Sequence, residues 1–113
     1  MEQNVVEENG FSYIETNPTK ETLVLLHGLL GTLSNFNGIV AQFGDTYNIV
    51  FPMLPIFDLP LKKAGLGGLL KYIESFIEYK NFSNINLLGN SLGGHLAQLY
   101  TLKHPERVQS LIL

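Results

Sequence analysis

Apolar residues along this chain are grouped into short runs separated by polar or glycine-rich segments. Four strand-length runs occur, at residues 22–26, 47–52, 85–88 and 108–113. In the first, Thr22-Leu23-Val24-Leu25-Leu26, the side chains that would point to either face of a strand are apolar. This is typical of a strand buried on both sides of a parallel sheet. These runs predict the central strands of such a sheet.

Between the runs the apolar spacing becomes helical. One stripe follows the spacing i, i+3, i+4, i+7, i+10 and i+11 and predicts a helix that packs on the sheet: Leu66, Leu69, Leu70, Ile73, Phe76 and Ile77. An earlier helix is expected to begin near Ser34 or Asn35, either of which can cap it, and to end at 42–44. A later helix follows Ser91 and ends near Lys103, because Pro105 disfavours helical geometry at the residue before it.

The N-terminal segment has the pattern of a hairpin. Val5–Glu8 and Phe11–Glu15 flank Asn9-Gly10, a pair that favours the positive φ angles of a two-residue turn. With the helices alternating between strands after it, the whole pattern predicts an α/β fold: a mostly parallel sheet with an N-terminal hairpin and helices on both faces.

Composition narrows the range of partners. The 113 residues carry a formal charge of −3 and no basic tract, which argues against nucleic acid or an anionic membrane surface as partner. No apolar run approaches a membrane span, and the acidic N-terminus does not have the pattern of a secretory signal. The chain has no cysteine, which excludes disulfides, thiolate metal sites and a thiol nucleophile. We expect a cytoplasmic protein without a metal or organic cofactor.

Two glycine-containing motifs follow predicted strands. The segment Gly89-Asn90-Ser91-Leu92-Gly93-Gly94 has the Gly-x-Ser-x-Gly pattern at a strand-to-helix turn, which raises a serine above the sheet edge as a nucleophile. Small residues at Gly89 and Gly93 keep the neighbouring backbone from colliding. The second motif, His27-Gly28-Leu29, comes directly after the first buried run.

In this order and spacing the two motifs resemble the N-terminal portion of an α/β-hydrolase, and the resemblance covers nearly the whole chain. It implies Ser91 as nucleophile, and the backbone N–H groups of Leu29 and Leu92 as the oxyanion hole that stabilises developing negative charge. It also implies structural roles at the site for His27, Gly28, Gly89 and Gly93. We interpret His95 as a packing or surface residue, and His104 as a helix-end residue that complements the helix dipole.

The same resemblance indicates what is missing. In that family the acid and the histidine base follow the nucleophile, whereas Asp45 and Asp58 precede Ser91 and His104 lies at the far end of the following helix. We therefore expect a single, incomplete domain (residues 1–113), truncated after about the sixth strand, that lacks the acid and base and is inactive alone. Its partners would be a small acyl or ester substrate, and either another copy of itself or the C-terminal remainder of the domain.

The implied reaction is hydrolysis of an ester or related acyl bond through an acyl-serine intermediate. Serine at the elbow disfavours the dehalogenase, epoxide hydrolase and dienelactone hydrolase types, but leaves carboxylesterase, lipase, thioesterase, carbon–carbon hydrolase and acyltransferase open. The segment at 52–58 also departs from the family's usual glycine-containing loop, and this loop commonly borders the pocket. The alternative is a non-catalytic protein that binds a small ligand, or a degenerate member that acts through association.

Overall fold

A mixed sheet forms the centre of the chain. The computed structural model describes residues 5–27, 33–55 and 65–113, except for the side chains of residues 33–35. In chain order the elements are β1 (Val6–Glu8), β2 (Phe11–Glu15), β3 (Glu21–Leu26), α1 (Leu33–Phe43), β4 (Tyr47–Pro52), α2 (Leu66–Lys80), β5 (Ile85–Gly89), α3 (Leu92–Lys103), a 3₁₀ turn (Pro105–Arg107) and β6 (Val108–Ile112).

The strands lie in the order β1-β2-β4-β3-β5-β6. The hairpin strands β1 and β2 are antiparallel to each other, and β2 is antiparallel to β4. The pairs β3–β4, β3–β5 and β5–β6 are parallel. This confirms the expected architecture, including the hairpin turn, where Asn9 and Gly10 have φ of 53° and 82°.

Helices cover both faces of the sheet, and the alternation of side chains along the strands decides which residues face which helix. Val24 and Leu26 of β3 pack with α2 and α3, whereas Leu23 and Leu25 pack with α1. Both sets are buried. The uninterrupted apolar run of β3 is therefore needed because this strand has no polar face.

Two helix predictions need correction. Helix α1 begins at Leu33, so Ser34 and Asn35 lie inside the helix and neither is its N-cap; a capping residue at position 32 lies outside the described ranges.

In α2 the apolar stripe is buried as expected at Leu69, Ile73, Phe76 and Ile77. Its first member, Leu66, is 40% exposed because it lies in the first turn, before the helix reaches the sheet.

A partly buried polar network connects strand β6 to β5 and β3. The Ser110 hydroxyl donates to Asn86 Oδ1 at 2.6 Å, and Asn86 Nδ2 donates to Glu21 Oε2 at 2.9 Å and to the Thr22 carbonyl at 3.2 Å. These bonds connect β6, β5 and β3 near the amino ends of the strands. Because β6 is parallel to β5, Leu113 lies beside the carboxyl end of β5.

Candidate active site

The two sequence motifs meet at one edge of the sheet. Strand β3 ends at Leu26 and continues into His27, while the neighbouring β5 ends at Gly89 and continues into Asn90 and Ser91. The Asn90 N–H donates to the Leu26 carbonyl at 3.2 Å, which connects the two strand ends directly. In open α/β sheets, the crevice outside the carboxyl ends of parallel strands is the usual ligand site.

Ser91 has an unusual backbone conformation, with φ 59° and ψ −123°. These angles belong to the first central residue of a type II′ turn, a position where glycine is preferred. The Gly93 N–H donates to the Asn90 carbonyl at 3.0 Å, which closes that turn. The other described non-glycine residues with positive φ are all asparagines, which tolerate positive φ better than serine does. Ser91 therefore occupies a strained position, a feature that is concentrated at active sites.

The glycines around Ser91 allow three backbone segments to pack together. A Cβ atom at Gly93 would lie 2.8 Å from the His27 carbonyl oxygen and closer still to that of Leu26. A Cβ atom at Gly89 would lie 2.7 Å from the Gly94 Cα. Both separations are too short for side chains, so α3 can start directly against the ends of β3 and β5 only because these residues are glycines.

The first turn of α3 begins next to Ser91. Leu92 is the first residue of this helix, where a backbone N–H has no acceptor within the helix, and the positive end of the helix dipole points at the Ser91 turn. This position is compatible with a role for the Leu92 N–H as an oxyanion donor. The other expected donor, Leu29, lies with Gly28 outside the described residues.

His27 connects the ends of β3 and β4. Its Nε2 accepts a hydrogen bond from the Leu54 N–H at 3.1 Å, and its ring stacks on Phe51 with a centroid separation of 5.2 Å and an angle of 9°. Because Nε2 is the acceptor, the proton of the neutral ring is on Nδ1. The lone pair that a general base would use is thus occupied by Leu54.

The other two histidines lie on or beyond α3. His95 is exposed one turn into the helix, and its backbone N–H donates to the Ser91 carbonyl at 3.2 Å. His104 follows the far end of α3, where its Nε2 lies 2.6 Å from Glu74 Oε2 and its ring packs on Tyr100. This hydrogen bond holds the pKa of Glu74 below its usual value. His104 therefore does more than complement the dipole, since it connects α3 to α2.

Two depressions border the Ser91 turn. The first is a cavity of about 300 Å³ lined by residues from β3, β4, β5 and α1, and its rim includes His27, Gly89, Asn90 and Leu113. The second is a shallow depression of about 330 Å³ lined by Ser91, His95 and Gln98, and it shares Gly89, Asn90 and Leu113 with the first. The Ser91 turn therefore lies between an apolar cavity and an open surface.

The cavity lining is the part of the site that sequence reasoning missed. Phe36, Ile39, Phe51 and Leu88 all face the cavity, although the pattern identified them only as core residues or did not single them out. For two of these four residues, the sequence did contain an indication that they could line a ligand site. Phe51 and Leu88 lie at the carboxyl ends of predicted parallel strands, where ligands bind in this type of sheet.

Within residues 5–27, 33–55 and 65–113, no three His, Asp or Glu side chains come together in a group that could hold a metal ion. In the same ranges, every helix falls short of the length and apolarity needed to cross a bilayer.

Replacing Ser91 with glycine is expected to stabilise the chain. Glycine adopts the type II′ angles without strain, and removal of the strain should raise the free energy of unfolding. The greater flexibility of glycine in the unfolded chain offsets part of this gain, so we expect a net increase of about 1 kcal/mol. Urea unfolding followed by circular dichroism measures this. Ser91→Ala keeps the Cβ atom and is the matched control, which should not gain stability. A destabilised Ser91→Gly variant would show that the turn is not strained.

Comparisons with known proteins agree with this geometry. The model of the alpha/beta hydrolase fold family matches residues 21–113. A solved alpha/beta hydrolase enzyme from the metagenome of lagoon sediments at Mar Chica, Morocco, is 40% identical, with a TM-score of 0.88 over 96% of this chain and 49% of that one. We refer to it below as the metagenomic hydrolase.

Curated relatives include 2-hydroxy-6-oxononadienedioate/2-hydroxy-6-oxononatrienedioate hydrolase of Escherichia coli, which is 44% identical over 82% of this chain and 35% of its own length. Lipase 1 of Psychrobacter immobilis is 32% identical over 96% of this chain and 34% of its own length. The chain thus spans about half of the metagenomic hydrolase and about a third of these relatives. Because the family model covers most of the sequence, the chain belongs to the alpha/beta hydrolase fold family.

Proposed function

We propose that this chain carries the nucleophile of a serine hydrolase that cleaves an ester or related acyl bond. The observation that carries the proposal is the type II′ conformation of Ser91, at the carboxyl end of a parallel strand and the start of a helix. A strained serine in this position is held with its side chain exposed at the sheet edge, as a nucleophile requires. Several similar proteins are named as hydrolases and one as a lipase. These names support the class of reaction but do not identify a substrate.

In the proposed reaction the Ser91 Oγ attacks the acyl carbonyl carbon, and its proton passes to a general base. The oxyanion that forms on the carbonyl oxygen would accept hydrogen bonds from the backbone N–H groups of Leu92 and Leu29. Collapse of this intermediate expels the leaving group, which takes up the proton, and leaves an acyl-serine. Water then attacks the acyl-serine, releases the acid and restores Ser91. No metal or organic cofactor takes part in the proposed steps.

We further propose that the acid and base of the triad are not among these 113 residues. His27 Nε2 is occupied by Leu54, and His104 is bound to Glu74 at the opposite end of α3. His95 lies in the first turn of the helix that follows Ser91 and is exposed, and we interpret it as a surface residue. Without a base, a serine hydrolase keeps only the residual rate that comes from binding and the oxyanion hole.

A fluorophosphonate probe tests the proposal and separates it from the non-catalytic alternative. The folded chain, incubated with excess probe, should be labelled slowly at Ser91, since the oxyanion donors act without the base. Peptide mass spectrometry locates the adduct. Ser91→Ala should abolish labelling, while Ser83→Ala, an exposed serine outside the site, should leave it unchanged. A folded chain that acquires no adduct would instead support a ligand-binding or interaction protein.

We also propose that the chain associates through β6. This strand pairs with β5 alone among the described strands, and Leu111, Ile112 and Leu113 at its end are 36%, 47% and 64% exposed. An unpaired apolar edge binds another strand, and a symmetric dimer is the simplest closed arrangement.

Light scattering during size-exclusion chromatography, over a dilution series, should detect dimers or larger species. Leu111→Lys should weaken association by placing a charge on the edge. Leu102→Lys, at an exposed position on α3, is the control and should have no effect. A wild-type chain that is monomeric at every concentration and melts cooperatively would contradict the proposal.

A further inference from the structure

We infer that Tyr72, on α2, is a positioning residue for the Ser91 site. It acts through residues 52–55, the segment where β4 ends, and through His27 at the end of β3. The inference rests on the proposed function, because it concerns the site at which Ser91 would react. It goes beyond that function by assigning roles to a side chain that no proposed catalytic step uses, and to a segment that departs from the family's usual loop.

Residues 52–55 have two backbone donors, and both form hydrogen bonds to other elements. The first and last of the four residues are prolines, which have no N–H group. The Met53 N–H donates to the Ser12 carbonyl oxygen at 2.8 Å, and the Leu54 N–H donates to His27 Nε2 at 3.1 Å. These two donors are on adjacent residues, so a shift of Met53 also shifts the donor that holds His27.

The Tyr72 hydroxyl lies where β2 meets this segment. It donates to the Met53 carbonyl oxygen at 3.4 Å and also forms a hydrogen bond with the Ser12 backbone. Burial raises the pKa of Tyr72, and the bond with Ser12 offsets part of this effect, so the hydroxyl stays protonated and able to donate at neutral pH. The ring packs edge-on against Phe11, with 5.3 Å between the centroids. Tyr72 therefore holds β2 and Met53 together against α2.

His27 connects this segment to the Ser91 turn. The bond from Leu54 and the stacked ring of Phe51 hold its side chain. Its carbonyl oxygen would lie only 2.8 Å from a Cβ atom at Gly93, the residue whose N–H closes the Ser91 turn. Because such closely packed atoms cannot move independently, a displaced His27 would also displace the start of α3. A shift in the preceding segment is therefore passed on to the turn.

Replacing tyrosine with phenylalanine tests this link in the full chain. Tyr72→Phe removes one hydroxyl, and the Leu54 N–H should then exchange with solvent about fivefold faster, because its neighbour has lost a hydrogen bond. Nuclear magnetic resonance of the His27 ring nitrogens, in mildly alkaline solution, should show a larger fraction of rings with the proton on Nε2. A general loss of stability would speed exchange at every amide and would not select one ring tautomer.

Tyr79 provides the matched control. It is on the same helix and its ring also packs on Phe11, at 5.4 Å, but its hydroxyl forms a hydrogen bond with Glu8. Tyr79→Phe removes the same atom without touching residues 52–55. The exchange of the Leu54 N–H and the ring nitrogens of His27 should therefore keep their wild-type behaviour.

The rate of fluorophosphonate labelling connects the link to the site. In Tyr72→Phe the maximal rate of Ser91 labelling should fall about threefold to fivefold, as expected for the loss of one positioning hydrogen bond. The probe concentration that gives half of this rate should change little, because the orientation of the turn affects the reacting geometry more than probe binding. Tyr79→Phe should be labelled at the wild-type rate. Thermal melting followed by circular dichroism verifies that both variants are folded.

A double-mutant cycle tests whether the effect passes through His27. His27→Leu removes the acceptor of the Leu54 N–H, so adding Tyr72→Phe to that variant should slow labelling no further. His27→Gln offers a side-chain oxygen as an alternative acceptor. This variant should be labelled at a rate between those of the wild type and His27→Leu, and should keep part of the response to Tyr72→Phe.

The outcomes separate this inference from the proposed function. Equal labelling of Tyr72→Phe and Tyr79→Phe, or a further loss when Tyr72→Phe is added to His27→Leu, would overturn the inference even if the probe labels Ser91 of the wild-type chain. A folded wild-type chain that the probe does not label would overturn the proposed function. In such a chain, a change at His27 in Tyr72→Phe but not in Tyr79→Phe would still support the link from α2 to the turn, and an unchanged His27 would overturn the link as well.

Discussion

Replacing Gly93 with alanine is expected to cost at least about 3 kcal/mol of folding free energy, and to leave the chain without a stable native state if its total stability is at the low end of the usual range. The new Cβ atom would lie 2.8 Å from the His27 carbonyl oxygen and even closer to that of Leu26. Both atoms are backbone, so relief requires α3 to move away from the end of β3. That movement would break the packing that holds Ser91 in place.

Two other glycines provide the controls for this prediction. At Gly94 the nearest atom to a new Cβ is the Gly89 carbonyl oxygen at 3.4 Å, so Gly94→Ala should cost less than about 1 kcal/mol. At Gly67, in the first turn of α2, no atom lies within 4 Å, so Gly67→Ala should stabilise by up to about 1 kcal/mol. Urea unfolding followed by circular dichroism compares the three variants. A Gly93→Ala variant as stable as Gly94→Ala would contradict the close approach of α3 to β3.

The second large effect is expected in ester hydrolysis. The chain alone should hydrolyse p-nitrophenyl butyrate far more slowly than a complete serine hydrolase, because we propose that the acid and base of the triad are not among its residues. Fusing residues 1–113 to the part of the metagenomic hydrolase that this chain does not cover, about half of that protein, should raise kcat by about 10⁴-fold or more. We propose that this part of the metagenomic hydrolase would supply a base and an acid to Ser91, because the two folds superpose with a TM-score of 0.88.

Variants in the fusion identify the source of that rate. Ser91→Ala should return the kcat to the level of the chain alone, whereas Ser83→Ala should leave it unchanged. If the chain by itself already hydrolyses the ester at the rate of the fusion, and Ser91→Ala abolishes this rate, one of the residues in this chain is acting as the base. The proposed absence of the acid and base would then be wrong.

Much of the fold could be predicted from the sequence, because the signals were local. The run 22–26 is apolar on both faces since β3 lies between two helical layers, and Asn9-Gly10 specifies a hairpin turn through its own φ angles. The start of α1 was misplaced because several polar residues that favour the cap position occur in succession near Ser34, and the sequence alone does not select among them. The exposure of Leu66 also could not be predicted, since it depends on where α2 meets the sheet.

For the site, the sequence predicted which residues lie at the turn but not their surroundings. The elbow motif predicted a sharp turn at Ser91, and the type II′ angles agree with it. The cavity could not be predicted, because Phe36, Phe51 and Leu88 come from three elements that are brought together only by the tertiary fold. The same reason applies to His104 and Glu74, which lie 30 residues apart in sequence and meet across α2 and α3.

The central claim, that Ser91 is an acylated nucleophile, is tested most directly by trapping the acyl-enzyme. The fusion described above would be mixed with p-nitrophenyl butyrate, quenched in acid within the first turnover, digested, and mapped by mass spectrometry. The account predicts a butyryl group on Ser91, and no adduct in the Ser91→Ala variant. A folded fusion that hydrolyses the ester without acylating Ser91, or that carries the butyryl group on another residue, would contradict it.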